Sequence, residues 1–292
     1  GCTVSMTNPD GSFDDTADVL VAVTSQLKGR VGRFDYQTAI FDEIHALSKP
    51  QSIPGMLVVN PRRLIGFTAT PEKKQELTRL FVGDETVVGS KHKRWSIVYL
   101  KVPFEHQAAP TEFTKISTEV ASCEVFIDML VNLTVYFFGQ HKRVMILTER
   151  NVLRDSVTDR VQGLGITVSN IKAESKCHNA DLIIGNKGIV GTGFDLGNAI
   201  QDFDGVHPSV VIFAFTLKDA TLFKQSSGRS LRSEWPLVIF PEFSGWASSR
   251  KHVRCIKEEL RENEYCTHRP AQEQMLNMVA SNCLNPIDPH AE

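Results

Sequence analysis

Short, unbroken apolar runs separated by helix-forming stretches constrain this chain more than any other feature. Val19-Leu20-Val21-Ala22-Val23, Ala39-Ile40-Phe41, Leu57-Val58-Val59 and Leu64-Ile65-Gly66-Phe67 recur toward its beginning. Val144-Met145-Ile146-Leu147, Leu182-Ile183-Ile184, Val210-Val211-Ile212-Phe213 and Leu237-Val238-Ile239-Phe240 repeat the pattern further on. A strand wetted on one face alternates apolar and polar residues, whereas a continuous run suits a strand covered on both faces, as in a parallel sheet between helices. The pattern predicts an α/β fold built on parallel sheets. Trp95 to Val102 reads as a further strand, Glu72 to Leu77 after Pro71 as a helix start, and Thr111 to Phe138 as a long helix. Glu105 to Pro110 resembles a linker. The chain therefore divides into units at residues 1–108 and 109–247, followed by a charged helical extension at 248–292 that loosens beyond Ser281.

A length of 292 residues accommodates two hydrophobic cores. With 41% hydrophobic and 23% charged residues, a disordered or fibrous chain is excluded. The net charge of −2 means that any nucleic-acid surface must be a local basic groove. The most apolar stretch, Val125 to Phe138, carries Asp128 and Asn132 and falls short of the ~20 apolar residues of a membrane span. It reads as a core helix, its Phe126, Tyr136, Phe137 and Phe138 packing inward, with no membrane partner expected. Cys2, Cys123, Cys177, Cys255, Cys266 and Cys283 form no CxxC pair, which favours reduced thiols in an intracellular, cytoplasmic or nuclear setting. Cys177-His178, Cys255, Cys266 and His268 fit no zinc-finger spacing.

Three short stretches carry chemistry. Phe41-Asp42-Glu43-Ile44-His45 puts two carboxylates at the end of a buried strand, where side chains of an open parallel sheet face the ligand crevice. Such a pair divides labour: Asp42 is placed to hold Mg²⁺ and Glu43 to orient and deprotonate an attacking water. Gly66-Phe67-Thr68-Ala69-Thr70-Pro71 ends a later strand with two hydroxyls suited to relay between a nucleotide and a neighbouring domain. In Gln225-Ser226-Ser227-Gly228-Arg229-Ser230-Leu231-Arg232, arginines three apart share a helix face and can neutralise charge on a transferred phosphoryl group.

The order of Asp42-Glu43-Ile44-His45, Thr68-Ala69-Thr70-Pro71, Gly191-Thr192-Gly193-Phe194-Asp195 and Gln225-x-x-Gly228-Arg229-x-x-Arg232 resembles motifs II, III, V and VI of superfamily 2 DExH helicases. The likeness covers roughly residues 17 to 245 and is greatest to XPB-like repair helicases and the transcript-release or replication helicases of large DNA viruses. It implies two RecA-like domains that close on ATP and Mg²⁺ while gripping a DNA or RNA strand. By position, it makes Asp42 the metal-associated acid, Glu43 the hydrolytic base, and His45, Thr68 and Thr70 coupling residues. Gly193 and Asp195 would touch the nucleotide, and Gln225, Arg229 and Arg232 would face the γ-phosphate. Thr24-Ser25-Gln26 and Thr148 resemble strand-contacting positions of the two domains.

Two departures matter. A phosphate-binding loop, Gly-x-x-x-x-Gly-Lys-Ser/Thr, does not occur; Gly83 to Lys91 has the wrong spacing and follows motif III. Because the chain opens on Gly1 and only 41 residues precede Asp42, the first domain is expected to be truncated at its front, by at least ~30 residues. In motif V, Asn186-Lys187 replaces a threonine, so an amide and a cation would make that strand contact.

Around the second set of runs, Lys142, Arg143, Arg150 and Arg154 against Glu149 form a locally basic stretch suited to phosphate contact. Arg250, Lys251, Arg254, Lys257 and Arg261 are balanced by Glu258, Glu259, Glu262 and Glu264, as in a salt-bridged helix. Two functions are compatible with these features. One is an ATP-dependent nucleic-acid helicase or translocase motor, acting within a replication or transcription complex. The other is a catalytically inactive, helicase-derived binding or structural component, such as part of a viral assembly or virion. The motor portion of a restriction or remodelling machine would carry the same motifs.

Overall fold

The computed structural model describes residues 2–8, 12, 14, 16–22, 36–42, 44, 61–67, 94–171, 177–187, 196–228, 232–234, 236–261 and 263–282. The expected strand at 57–59 and helix start at 72–77 lie outside them. Two compact units divide the chain, residues 1–89 and 90–292.

In the first unit, β1 (Val4–Met6) pairs in parallel with β2 (Val19–Val21), and β3 (Thr38–Phe41) with β4 (Arg63–Gly66). Asp18 fastens the first pair by accepting from the N–H and hydroxyl of Thr3 at 2.8 and 2.9 Å. In the second pair, Phe41 and Ile44 are buried against Ala39 and Leu64. A Cβ on Gly66 would stand 2.7 Å from Cγ1 of Ile44, so this close packing requires glycine.

The second unit holds a seven-stranded sheet: β5 (Trp95–Val102), β6 (Val144–Thr148), β7 (Val168–Ile171), β8 (Leu182–Asn186), β9 (Val210–Phe213), β10 (Leu237–Phe243) and β11 (Cys266–His268). The order across it is β11-β5-β10-β9-β6-β8-β7, with every neighbouring pair parallel. Alternate residues feed two cores. Val98, Leu100, Val144 and Ile146 pack on one face against α1 (Phe113–Ala121), α2 (Glu124–Phe138), α3 (Asn151–Gly163) and α7 (Pro270–Ser281). Ile97, Tyr99, Met145 and Leu147 pack on the other with residues of α4 (Leu196–Ala199), α5 (Ala220–Ser227) and α6 (Ala247–Leu260). Each such side chain, fully buried, contributes about 1.5–3 kcal/mol of transfer free energy. The unbroken apolar runs thus have their cause in a sheet covered on both sides.

Three features differ from the sequence reading. First, β5 belongs to the second unit: it pairs with β10 from Leu237↔Ser96 to Phe243↔Val102, so a boundary at 108 falls inside that unit. Adjacency along the chain does not dictate pairing in a parallel sheet, where each strand is reached by a crossover. Second, the long helix at 111–138 breaks into α1 and α2, bent by 54° at Ser122 and Cys123. The Glu119 carboxylate accepts the N–H groups of Gln107 and Ala108, tying α1 to the preceding connector. Among the described residues no single helix is long and apolar enough to cross a membrane.

Third, most of the expected extension is integral to the unit. β11 pairs with β5 at Trp95–Ile97, and beyond that the exposed edge of β5 is met by α7. Glu273 accepts from Tyr99 N at 3.1 Å, while Asn277 accepts from Lys101 N at 2.7 Å and donates to Tyr99 O at 3.2 Å. One turn apart on the helix, these two side chains supply the hydrogen bonds a further strand would make.

Candidate functional site

Because all seven strands run the same way, their carboxyl ends share one edge of the sheet. The chain leaves β6 for β7, returns as β8 on one flank of β6, and then crosses to β9 on the other. That reversal is a topological switch point, where open α/β sheets place their ligand crevice. Thr148-Glu149-Arg150 leaves β6 there, Asn186-Lys187 leaves β8, and Ala214-Phe215-Thr216 leaves β9.

These ends are joined through Glu149. Lys187 Nζ pairs with its Oε1, and Ser117 Oγ on α1 donates to its Oε2 at 2.5 Å. Asn186 Nδ2 donates to the Glu149 carbonyl at 3.3 Å, and the Lys187 ammonium lies 5.2 Å from the centroid of Phe215. Partial burial opposes ionisation of Glu149, but the hydrogen bonds from Lys187 and Ser117 and the charges of Lys187 and Arg150 outweigh it. The carboxyl is held below its ordinary range.

The ionised form is therefore favoured by folding, and its stabilisation is complete above about pH 4.5 and lost as pH falls through the lower folded value. Glu149→Gln is expected to lower the Tm at pH 7, with the gap from the native chain closing as the pH is taken to about 3. Thermal unfolding across that range checks this; a gap independent of pH would contradict it.

Thr148 and Lys187, both expected to contact a strand, are thus brought to one place, and each has an internal partner. The Thr148 hydroxyl, fully buried, donates to Gly185 O at 3.4 Å, and Lys187 is neutralised by Glu149. Glu149 itself was legible only as an offset to nearby cations; a polar triplet directly after a buried strand is the signal that marks it.

The basic stretch does not form one surface. Lys142 and Arg143 precede β6 while Arg150 and Arg154 follow it, so a five-residue strand, about 16 Å at ~3.3 Å per residue, lies between them. Arg143 forks onto Asp204 with two bonds of 2.9 Å, and buried Arg154 pairs with Asp155 at 2.9 Å.

In the first unit, Asp42 is exposed in the turn that leaves β3. Phe67 N donates to Phe41 O at 2.8 Å and Ile44 N to Phe67 O at 2.9 Å, so the segment carrying Asp42 and the one leading into Thr68 leave the sheet side by side. In the second unit, Gln225 lies on α5, whose start is capped by the Asp219 carboxylate accepting from Leu222 N, and Arg232 is exposed between α5 and β10. Thr24, Ser25, Glu43, His45, Thr68, Thr70, Gly193, Asp195 and Arg229 lie outside the described residues. Among the described residues no group of three or more His, Cys, Asp or Glu side chains is disposed to hold a metal.

No family profile and no curated protein matches the chain. Solved structures do. S. cerevisiae Dbp5 bound to RNA and ADP BeF3 matches with a TM-score of 0.56 and 13% identity, covering 96% of this chain and 74% of that one. A variant of Dbp5 bound to the same ligands gives the same values. A Dbp5 variant bound to a Gle1 variant and IP6 matches at 0.54, with equal identity and coverage. At this identity the likeness is one of fold: the chain is α/β, with RecA-like domains on parallel sheets, as in those structures.

Proposed function

We propose that this chain is the motor core of an ATP-dependent superfamily 2 helicase or translocase of the DExH type, acting on a single strand of DNA or RNA. The observation that carries the reading is the ordered set of motifs in the sequence on this fold, with Asp42 and Ile44 of the first, and Phe67 just ahead of the second, leaving paired strands β3 and β4 side by side. The exposed carboxylate of Asp42 at the end of its strand has the hard oxygen chemistry that Mg²⁺ takes, often through water. In this reading Mg²⁺ offsets charge on the ATP phosphates. Glu43 orients and deprotonates the attacking water, and Gln225, Arg229 and Arg232 bear on the γ-phosphate. Gly193 and Asp195 bind the nucleotide, and His45, Thr68 and Thr70 couple its state to strand contacts at Thr24, Ser25, Thr148 and Lys187.

The switch-point cluster suits a coupling role. An ion pair between Glu149 and Lys187 can open when a phosphate competes for the ammonium, linking strand contact to the ends of β6 and β8. ATP hydrolysis by the full gene product, with and without single-stranded DNA or RNA, tests the proposal. Strand-stimulated turnover is expected. Strand binding without hydrolysis would favour a helicase-derived binding component, and the absence of both would overturn the assignment.

A further inference from the structure

Beside the Glu149 cluster lies a cavity of about 10 Å³, lined among others by Ser117, Glu149, Arg150, Thr216 and Trp246. That volume admits one atom of about water's size. Two of its lining residues carry buried donors, Arg150 Nε and Trp246 Nε1, with no acceptor among the described residues. Trp246 is 3% exposed. A buried N–H without an acceptor is destabilising, so two such groups beside one small cavity point to an acceptor atom supplied from outside.

The flank of the cavity is aromatic. Phe113, 40% exposed at the start of α1, lies 5.0 Å from the Trp246 ring and 6.3 Å from His252, centroid to centroid. His252 Nδ1 is 2.9 Å from the Thr216 hydroxyl. Burial first, and then the charges of Lys218 and Lys251, hold the imidazole below its ordinary range and favour its neutral form. Lys218, Arg250 and Lys251 are exposed, and none of the three is ion-paired among the described residues. The nearby carboxylates are matched: Glu149 by Lys187, Glu112 by Lys115, and Asp219 by the N-terminus of α5.

An exposed ring beside uncompensated cations and buried donors is complementary to one partner chemistry: a flat, acceptor-bearing base on a polyanion. We infer that this corner of the second unit is a nucleotide subsite, at which an unpaired base of the bound strand stacks on Phe113 while one acceptor atom of that nucleotide takes the N–H groups of Arg150 and Trp246. Lys218, Arg250 and Lys251 meet the flanking phosphates. The inference rests on the strand-binding reading above and adds to it a base contact that phosphate-gripping motifs do not provide.

Fluorescence anisotropy of the full chain with a labelled single-stranded oligothymidine and with its abasic counterpart is the test. Phe113→Ala is expected to weaken oligothymidine binding about 5- to 150-fold, the effect of one base stack, and to leave abasic binding unchanged. Phe113→Leu keeps apolar bulk against Trp246 but lacks the flat face, and loses affinity likewise. Phe113→Trp restores it. Trp246→Phe, which removes the buried N–H together with part of the indole ring, is expected to weaken binding about 2- to 10-fold when measured at a temperature where the variant is still folded. Native binding to oligothymidine that Phe113→Ala leaves untouched, or an equal loss on the abasic strand, overturns the subsite alone. A native chain that binds neither strand overturns the strand-binding reading with it.

Discussion

Glu43→Gln is expected to slow ATP turnover by about 10²- to 10⁴-fold, the range over which a positioned general base acts, while ATP and strand binding persist. The amide keeps the size and the hydrogen-bonding oxygen of the carboxylate but cannot take a proton from water. The loss should therefore fall on kcat, with KM for ATP nearly unchanged. Steady-state hydrolysis by the full gene product, paired with a nucleotide-binding titration, reads both quantities. Native turnover in the variant would remove Glu43 from the chemistry and, with it, the DExH reading.

The second large effect concerns stability. A Cβ on Gly245 would lie 2.1 Å from the Phe104 carbonyl oxygen, and Gly245 N donates to that same oxygen at 2.9 Å. Both groups are backbone, so no side-chain rotation relieves the overlap. Gly245→Ala must push the connector after β5 away from the end of β10, losing this hydrogen bond and straining the one from Phe104 N to Ser244 Oγ. The expected cost is about 3–5 kcal/mol, the range of backbone overlap plus a broken hydrogen bond. For a unit of this size that corresponds to a fall in Tm of about 6–20 °C, measurable by calorimetry. A Tm within about 2 °C of the native value would show that the connector gives way freely.

Residues buried on both faces were the most legible from sequence. Runs such as Val144-Met145-Ile146-Leu147 and Val210-Val211-Ile212-Phe213 announce β6 and β9 because no position in them meets water. Strands at the margins carry no such mark. β7 alternates half-buried Val168 and Asn170 with buried Ser169 and Ile171, and β11 is the short polar Cys266-Thr267-His268. Neither stands out from a loop on hydrophobicity alone. β5 was legible as a strand, but its unit was not, because the partner that decides it, β10, comes some 140 residues later.

The places of Thr148 at the end of β6 and Lys187 just after β8 were legible for the same reason as those strands. Grouping by sequence window misled at Lys142 to Arg154, where one strand separates cations that a linear count places together. The Phe113, Trp246 and His252 cluster has no linear signature at all, its rings coming from α1, the lead-in to α6 and α6 itself.

The way α7 finishes the sheet has a consequence for how the protein is made. The bond from Tyr99 to Glu273 spans 174 residues, so the first strand of the second unit waits with an open edge until the last described helix has left the ribosome. At ~5–20 residues per second that interval lasts about 10–35 seconds. Throughout it, that edge of β5 holds unsatisfied backbone groups on which a neighbouring chain can pair.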